Sequence, residues 1–122
     1  MIALGIDLIE VDRIRRSIQS AHFCERVFGA QERQQLAARS MAAESAAACF
    51  AAKEAFGKAL GCGVRGFSLA EVQLLREPSG RPYLSLCGRA LLLAEGRGLD
   101  FGVRGRQKKK FAAVVVAGKK KE

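Results

Sequence analysis

The order of elements in this 122-residue chain predicts an α+β domain, a mainly antiparallel sheet packed on one long helix and several shorter ones. Three observations carry that prediction. Apolar, β-prone runs stand at both ends, residues 2–8 and Phe111–Ala117. An alanine-rich stretch from Ser40 to Leu60 has high intrinsic helix propensity. Between it and the last run lies a strand pair broken by Pro78-Ser79-Gly80.

Residues 2–8 read as a buried first strand ending at Asp7. Asp12 can cap a short helix carrying Ile14 and Ile18 at helical spacing, and Phe23, Val27 and Phe28 suggest a further turn that stops near Gly29. Gln31 to Arg39 reads as another short helix. The long helix over Ser40–Leu60 ends at Gly61, Gly63 and Gly66, with Gly61 as its C-terminal cap. Glu71–Arg76 and Pro82–Leu86 read as a hairpin around the turn Pro78-Ser79-Gly80. Arg89–Glu95 is helical and closes at Gly96 and Gly98. Phe101–Val103 starts a strand, and Phe111–Ala117 is a buried one. No repeat or linker divides the chain, so one domain over 1–122 is expected.

Composition narrows the function classes. No apolar run reaches the ~18 residues of a membrane span, and Asp7 and Glu10 interrupt the layout of a secretory leader, so a cytoplasmic protein with no membrane partner is expected. Cys24, Cys49, Cys62 and Cys87 form no C-x-x-C pair and His22 is remote from zinc-ligand spacing, which points to free, mostly buried thiols. The net charge is +9, and it is uneven: from Arg97 onward nine basic residues face only Asp100 and Glu122. Such a tail favours polyanions, whether phosphates, an acidic protein or nucleic acid, and it also fits a solvated solubilising tail. A nucleic-acid role has no helix-turn-helix, zinc or aromatic RNA-binding pattern behind it.

The chemistry concentrates in Phe50-Ala-Ala-Lys-Glu-Ala-Phe-Gly-Lys-Ala-Leu-Gly61. Glu54 and Lys58 are four residues apart and share a helical face, with Lys53 about 100° round the helix, beside that face. Phe50, Gly57 and Gly61 lie near that face, the glycines leaving room for a ligand against the backbone. A carboxylate beside an ammonium suits a metal-bound phosphate, the first holding the metal and the second the phosphate oxygens. On spacing alone an ordinary surface ion pair is the commoner explanation. Asp7, in an apolar strand, is costly without a cation, although a turn-forming role also fits.

With Gly5-Ile-Asp7-Leu-Ile-Glu-Val-Asp-Arg13-Ile14 and Phe50–Gly61 both in view, the chain resembles the holo-acyl-carrier-protein synthases, small bacterial phosphopantetheinyl transferases. Arg26-Val27-Phe28, Gly61-Cys62-Gly63, Ser79-Gly80-Arg81-Pro82 and Phe111–Val116 extend the resemblance over most of the chain. It implies a 4′-phosphopantetheinyl transferase-like fold. It also implies magnesium-dependent transfer of the 4′-phosphopantetheine arm of coenzyme A to a serine of apo acyl carrier protein, leaving adenosine 3′,5′-bisphosphate. On this resemblance Asp7 and Glu54 hold Mg²⁺, and Lys58 lies at the coenzyme A phosphates with Lys53, Gly61, Arg106 and Lys108 as further contacts. Arg13, with Arg16, Phe23 and Arg26, receives the acidic helix of the carrier protein. Homotrimers with active sites at subunit boundaries are implied as well.

Two departures stand out. Where the family has Ser-x-Ser-His before the last strand, this chain has Arg104-Gly-Arg106-Gln107-Lys108-Lys-Lys110, and Cys49 replaces an arginine. Either the basic cluster substitutes for the lost phosphate contacts, or the chain is a weak or inactive member that binds coenzyme A or carrier protein without turnover. Gln107 cannot move a proton as histidine can.

Overall fold

A computed structural model describes residues 2–121; Met1 and Glu122, and with them the ends of the domain expected over 1–122, lie outside the described residues. Strand β1 (Ile2–Glu10) leads into helices α1 (Val11–Ser17), α2 (Ala21–Val27), α3 (Ala30–Ala38) and α4 (Ala43–Leu60). A hairpin of β2 (Val72–Arg76) and β3 (Pro82–Leu86) follows, then α5 (Gly88–Arg97), β4 (Leu99–Gln107) and β5 (Phe111–Lys120). The strands form two antiparallel sheets, a three-stranded one in the order β1-β5-β4 and the β2-β3 hairpin.

The predicted α+β, mainly antiparallel architecture is the observed one, with boundaries that differ for local reasons. The helix α1 starts at Val11, after Glu10, so Asp12 sits in the first turn rather than capping it. The backbone N–H of Val11 is instead taken by the carbonyl of Lys110, which ties the start of α1 to the β4–β5 turn. The long helix begins at Ala43 and not at Ser40, because Ser40 and Met41 both adopt left-handed backbone (φ 56° and 52°). Gly61 caps α4 at φ 80°, as its sequence position predicts. A short 3₁₀ turn occupies Leu69–Glu71, so the hairpin begins at Val72. The helix α5 runs through Gly96, and β4 is a full nine-residue strand rather than the short start expected at Phe101–Val103.

The core lies between α4 and the larger sheet. The inward row of β5, Ala112, Val114 and Val116, faces α4 together with Gly5 and Ile9 of β1. Phe56 meets Phe67 and Phe101 edge-on, at ring-centroid separations of 5.3 and 4.9 Å. At Gly5 a side chain could not exist: a Cβ there would stand 1.8 Å from the carbonyl oxygen of Ala55 and 2.7 Å from the nitrogen of Ala59. Backbone-to-backbone contact at this point brings the middle of β1 against the middle of α4.

The outer face of the same sheet is apolar and open. Ile2, Leu4, Ile6 and Leu8 are 76, 56, 56 and 64 % exposed, and Val115 and Phe111 continue the row. The four cysteines are free, but only Cys49 is buried; Cys24 and Cys62 are half-buried and Cys87 is exposed, so the expected burial holds for one of them.

Candidate active site

The close contact at Gly5 places Asp7, two residues on and on the same inward face, beside α4. Its carboxylate receives the Lys58 ammonium (Nζ to Oδ1, 2.9 Å), which also donates to the carbonyl of Ile6 (3.1 Å). The β1 strand is an edge of its sheet, so that carbonyl is free to accept. Glu54, one helical turn before Lys58, is half-buried. Its carboxyl is pushed above the ordinary value by burial first and by the Asp7 charge second, against the pull of Lys58 and Arg13. Among the described residues Glu54 makes no ion pair and accepts no side-chain hydrogen bond. Two carboxylates thus stand close enough to repel, and only one of them has a cation. Such a pair asks for a positive ion with oxygen ligands.

Arg13, exposed on α1, lies 5.9 Å over the Phe50 ring, and Phe23 of α2 stacks on the same ring at a centroid separation of 6.3 Å. Arg16 and Arg26 are exposed nearby on α1 and α2. A basic and aromatic surface therefore borders the carboxylate pair.

Two expectations need correction. Lys53 does not face the ligand side. It is fully buried, with its Nζ 2.6 Å from Glu32 Oε1 and a further bond to the carbonyl of Val72. Fully buried, its ammonium is out of reach of a phosphate oxygen. Gly57 gives no room to a ligand either: the chain's own loop fills the space, the Gly63 oxygen standing 2.2 Å from where a Cβ would be. Gly61, with nothing within 4 Å, is open. Arg106 and Lys108 lie away from the carboxylates of the same chain. Arg106 pairs in register with Ala113 and Arg104 with Val115, the outward row of the sheet, while Asp7 pairs with Val114 on the inward row. Lys108 is exposed in the turn after β4.

Those arginines line a different feature, an open cleft of about 1160 Å³ over β4 and β5 and beside the hairpin. Arg76, Arg81, Arg104 and Arg106 border it, with Tyr83, Phe101 and Val115 as apolar lining. Arg104 and Arg106 make no ion pair among the described residues. Gln107 Oε1 accepts from Arg76 Nη2 at 3.5 Å, and Arg76 Nη1 also donates to the carbonyl of Gly80. Sequence reasoning missed Arg76 and Arg81 as site residues. The Ser79–Pro82 turn was the available signal, since it fixes where Arg81 leaves the hairpin. It also missed Glu32, for which a lysine deep in an apolar helix was the signal.

The model of the 4′-phosphopantetheinyl transferase superfamily matches residues 3–112. A holo-[acyl-carrier-protein] synthase of Treponema denticola is 41 % identical over 118 residues, 95 % of this chain and 96 % of the relative. The chain belongs to the 4′-phosphopantetheinyl transferase superfamily. Solved structures agree with the assignment. The holo-[acyl-carrier-protein] synthase of Neisseria meningitidis superposes with a TM-score of 0.89 at 25 % identity, covering 98 % of this chain and 100 % of that one. That of Bacillus anthracis, crystallised in complex with coenzyme A (3′,5′-ADP), superposes at 0.81 with 27 % identity over 98 % and 96 % of the two chains. The transferase fold expected from the sequence is therefore the fold this chain has. No helix among the described residues is long and apolar enough to cross a membrane.

Proposed function

We propose that this transferase keeps the activity of its relatives, moving the 4′-phosphopantetheine arm of coenzyme A onto a serine of apo acyl carrier protein and releasing adenosine 3′,5′-bisphosphate. The observation that carries the reading is the juxtaposition of Asp7, Glu54 and Lys58, with a half-buried carboxylate left unpaired. The donor set fits Mg²⁺, which prefers oxygen ligands and commonly takes one or two carboxylates, with water and substrate phosphate as its other ligands. Asp7 and Glu54 would hold the ion. When bound, it would neutralise charge on the diphosphate as the bond to the leaving bisphosphate breaks. Lys58 adds a second positive charge to the same oxygens. The serine oxygen forms the new bond to phosphorus, and its proton leaves through water, with Glu54 as the first candidate acceptor. Arg13, Arg16 and Arg26 with Phe23 would steer and seat an acidic carrier protein, mainly raising the association rate.

One chain offers this site in two halves. The carboxylate edge is on the inner face at β1, and the arginine cleft is on the outer face at β4. A second copy seated on the apolar row Ile2, Leu4, Ile6 and Leu8 would cover a surface that is costly in water. We infer a homotrimer in which the arginine cleft of one subunit serves the carboxylates of its neighbour. Arg104 and Arg106 then take a phosphate of coenzyme A in place of the family's histidine, with Lys108 and the open Gly61 as further contacts. The free cysteines accord with a reducing cytoplasm.

The test is direct. Incubation with coenzyme A, Mg²⁺ and apo acyl carrier protein should raise the carrier's mass by one phosphopantetheine arm. No product at high protein concentration, with coenzyme A still bound, would instead establish the non-catalytic binder. For the assembly, Ile6→Lys should convert trimer to monomer in light scattering; an unchanged mass would remove that face from the interface.

A further inference from the structure

The buried ion pair below the site has more structure than stability requires. Lys53 and Glu32 are both fully buried. Besides Lys53, Glu32 Oε1 accepts from the backbone N–H of Gly29 (3.1 Å), and Oε2 from that of Leu74 (2.8 Å). The Glu32 backbone N–H donates to Gln73 Oε1 (2.9 Å). Lys53 also donates to the Val72 carbonyl and lies 5.7 Å from the Phe28 ring. Among the described residues no buried side-chain nitrogen or oxygen lacks a partner. The network joins three elements far apart in sequence, the start of α3, the middle of α4 and strand β2.

Desolvating two charges is costly, and apolar substitutes of the same volume often serve stability as well or better. What an apolar pair lacks is direction. Direction matters on α4 because its contact with β1 is nearly featureless: Gly5 lies on Ala55 and Ala59, with no interlocking side chains at that point. Phe56, wedged against Phe67 and Phe101, fixes the flank opposite Glu54. Lys53 is the neighbour of Glu54 and the buried polar anchor on its own side of the helix.

We propose that the Lys53–Glu32 pair is a positioning device that sets the roll of α4, and so the aim of Glu54 and Lys58 at Asp7. The inference rests on the transferase reading for its consequence in turnover, but not for its consequence in metal binding. A double variant, Lys53→Met with Glu32→Gln, removes both charges and roughly keeps the volume; its one amide oxygen can accept from Gly29 or from Leu74, not both. It should melt below the wild type for want of that one partner, yet stay folded at 25 °C. Its affinity for Mn²⁺, followed by electron paramagnetic resonance with and without coenzyme A, should fall about tenfold, the usual cost of removing a group that orients a metal ligand. The kcat should fall in parallel, while the KM for carrier protein stays put. A double variant that is stable, binds Mn²⁺ at wild-type strength and turns over at the wild-type rate overturns the proposal. If it does not fold while the single Lys53→Met does, the Mn²⁺ comparison is made on the single variant. If neither folds, the pair is a folding element and the positioning role is rejected. A wild-type protein that binds Mn²⁺ but makes no product would sink the transferase reading and leave the metal comparison intact.

Discussion

At the β1 edge, charge is sparse, half-buried and mutually constrained: Asp7 is held by Lys58 at 2.9 Å, and Glu54 is raised by its surroundings. At the cleft, four arginines stand round an open space with little opposing charge, Arg81 reaching only Glu77 at 3.6 Å. The first region is built to fix geometry, since partly buried charges are weakly screened and their energies depend steeply on position. The second is built to collect anions, since exposed guanidinium groups act over a Debye length of about 8 Å at physiological salt and tolerate displacement. Chemistry should therefore depend on the edge, and substrate affinity on the cleft.

The sharpest break of that division is at the edge. Glu54→Gln should lower kcat by about 10³-fold with the fold retained, the scale seen when a preorganised electrostatic group is removed from a transition state. Asp7→Asn should do the same and also free Lys58. Initial rates of carrier-protein mass shift measure both. A Glu54→Gln enzyme within tenfold of wild type would move the chemistry elsewhere.

The cleft should respond differently. Arg104→Ala with Arg106→Ala should raise the KM for coenzyme A by roughly 10- to 100-fold, as expected for losing one or two charge-assisted bonds, with kcat within about threefold. High salt should mimic the variant in the wild type by screening. Mixing in trans sharpens the comparison further: co-assembled Glu54→Gln and Arg104→Ala/Arg106→Ala chains should regain activity that neither has alone at low coenzyme A, because one boundary then carries both intact halves. Activity that never exceeds the sum of the parents would confine each site to one chain.

The edge was legible in the sequence, and the cleft was not, for reasons of range. Glu54 and Lys58 share a face by helical period alone, and Asp7 stands out because an apolar strand makes a carboxylate expensive. Lys53 lies on the same helix, yet its direction depends on Glu32 and Val72, both about twenty residues away. No period inside α4 tells a lysine aimed at a ligand from one aimed at a buried partner. On β4 the glycines and basic residues hid a nine-residue strand. Without its register, the outward parity of Arg104 and Arg106 cannot be read from the sequence. At Ser40 and Met41, helix propensity overreached: the left-handed pair costs roughly 1–2 kcal/mol per residue locally, but it turns the chain so that α4 can lie along the sheet.

The smallest expected effect tests the edge without any turnover. A carboxyl group raised in the folded state binds more protons there than in the unfolded chain, between its ordinary value of about 4.3 and its raised one. Through that window, stability falls as pH rises; above it, a constant penalty remains. Burial and the Asp7 charge impose this penalty on Glu54, with Lys58 and Arg13 offsetting part of it. Glu54→Gln removes it, so without divalent ions the variant should melt slightly above the wild type at pH 7, and the gap should close as pH falls below the ordinary carboxylate range. Mg²⁺ should raise the wild-type melting temperature at pH 7 and leave that of Glu54→Gln nearly unmoved, because only the wild type has an unpaired carboxylate for the ion to relieve. A Glu54→Gln protein that melts below wild type at pH 7 in the absence of metal would mean that Glu54 already has a favourable partner, and the case for a cation between Asp7 and Glu54 would fail.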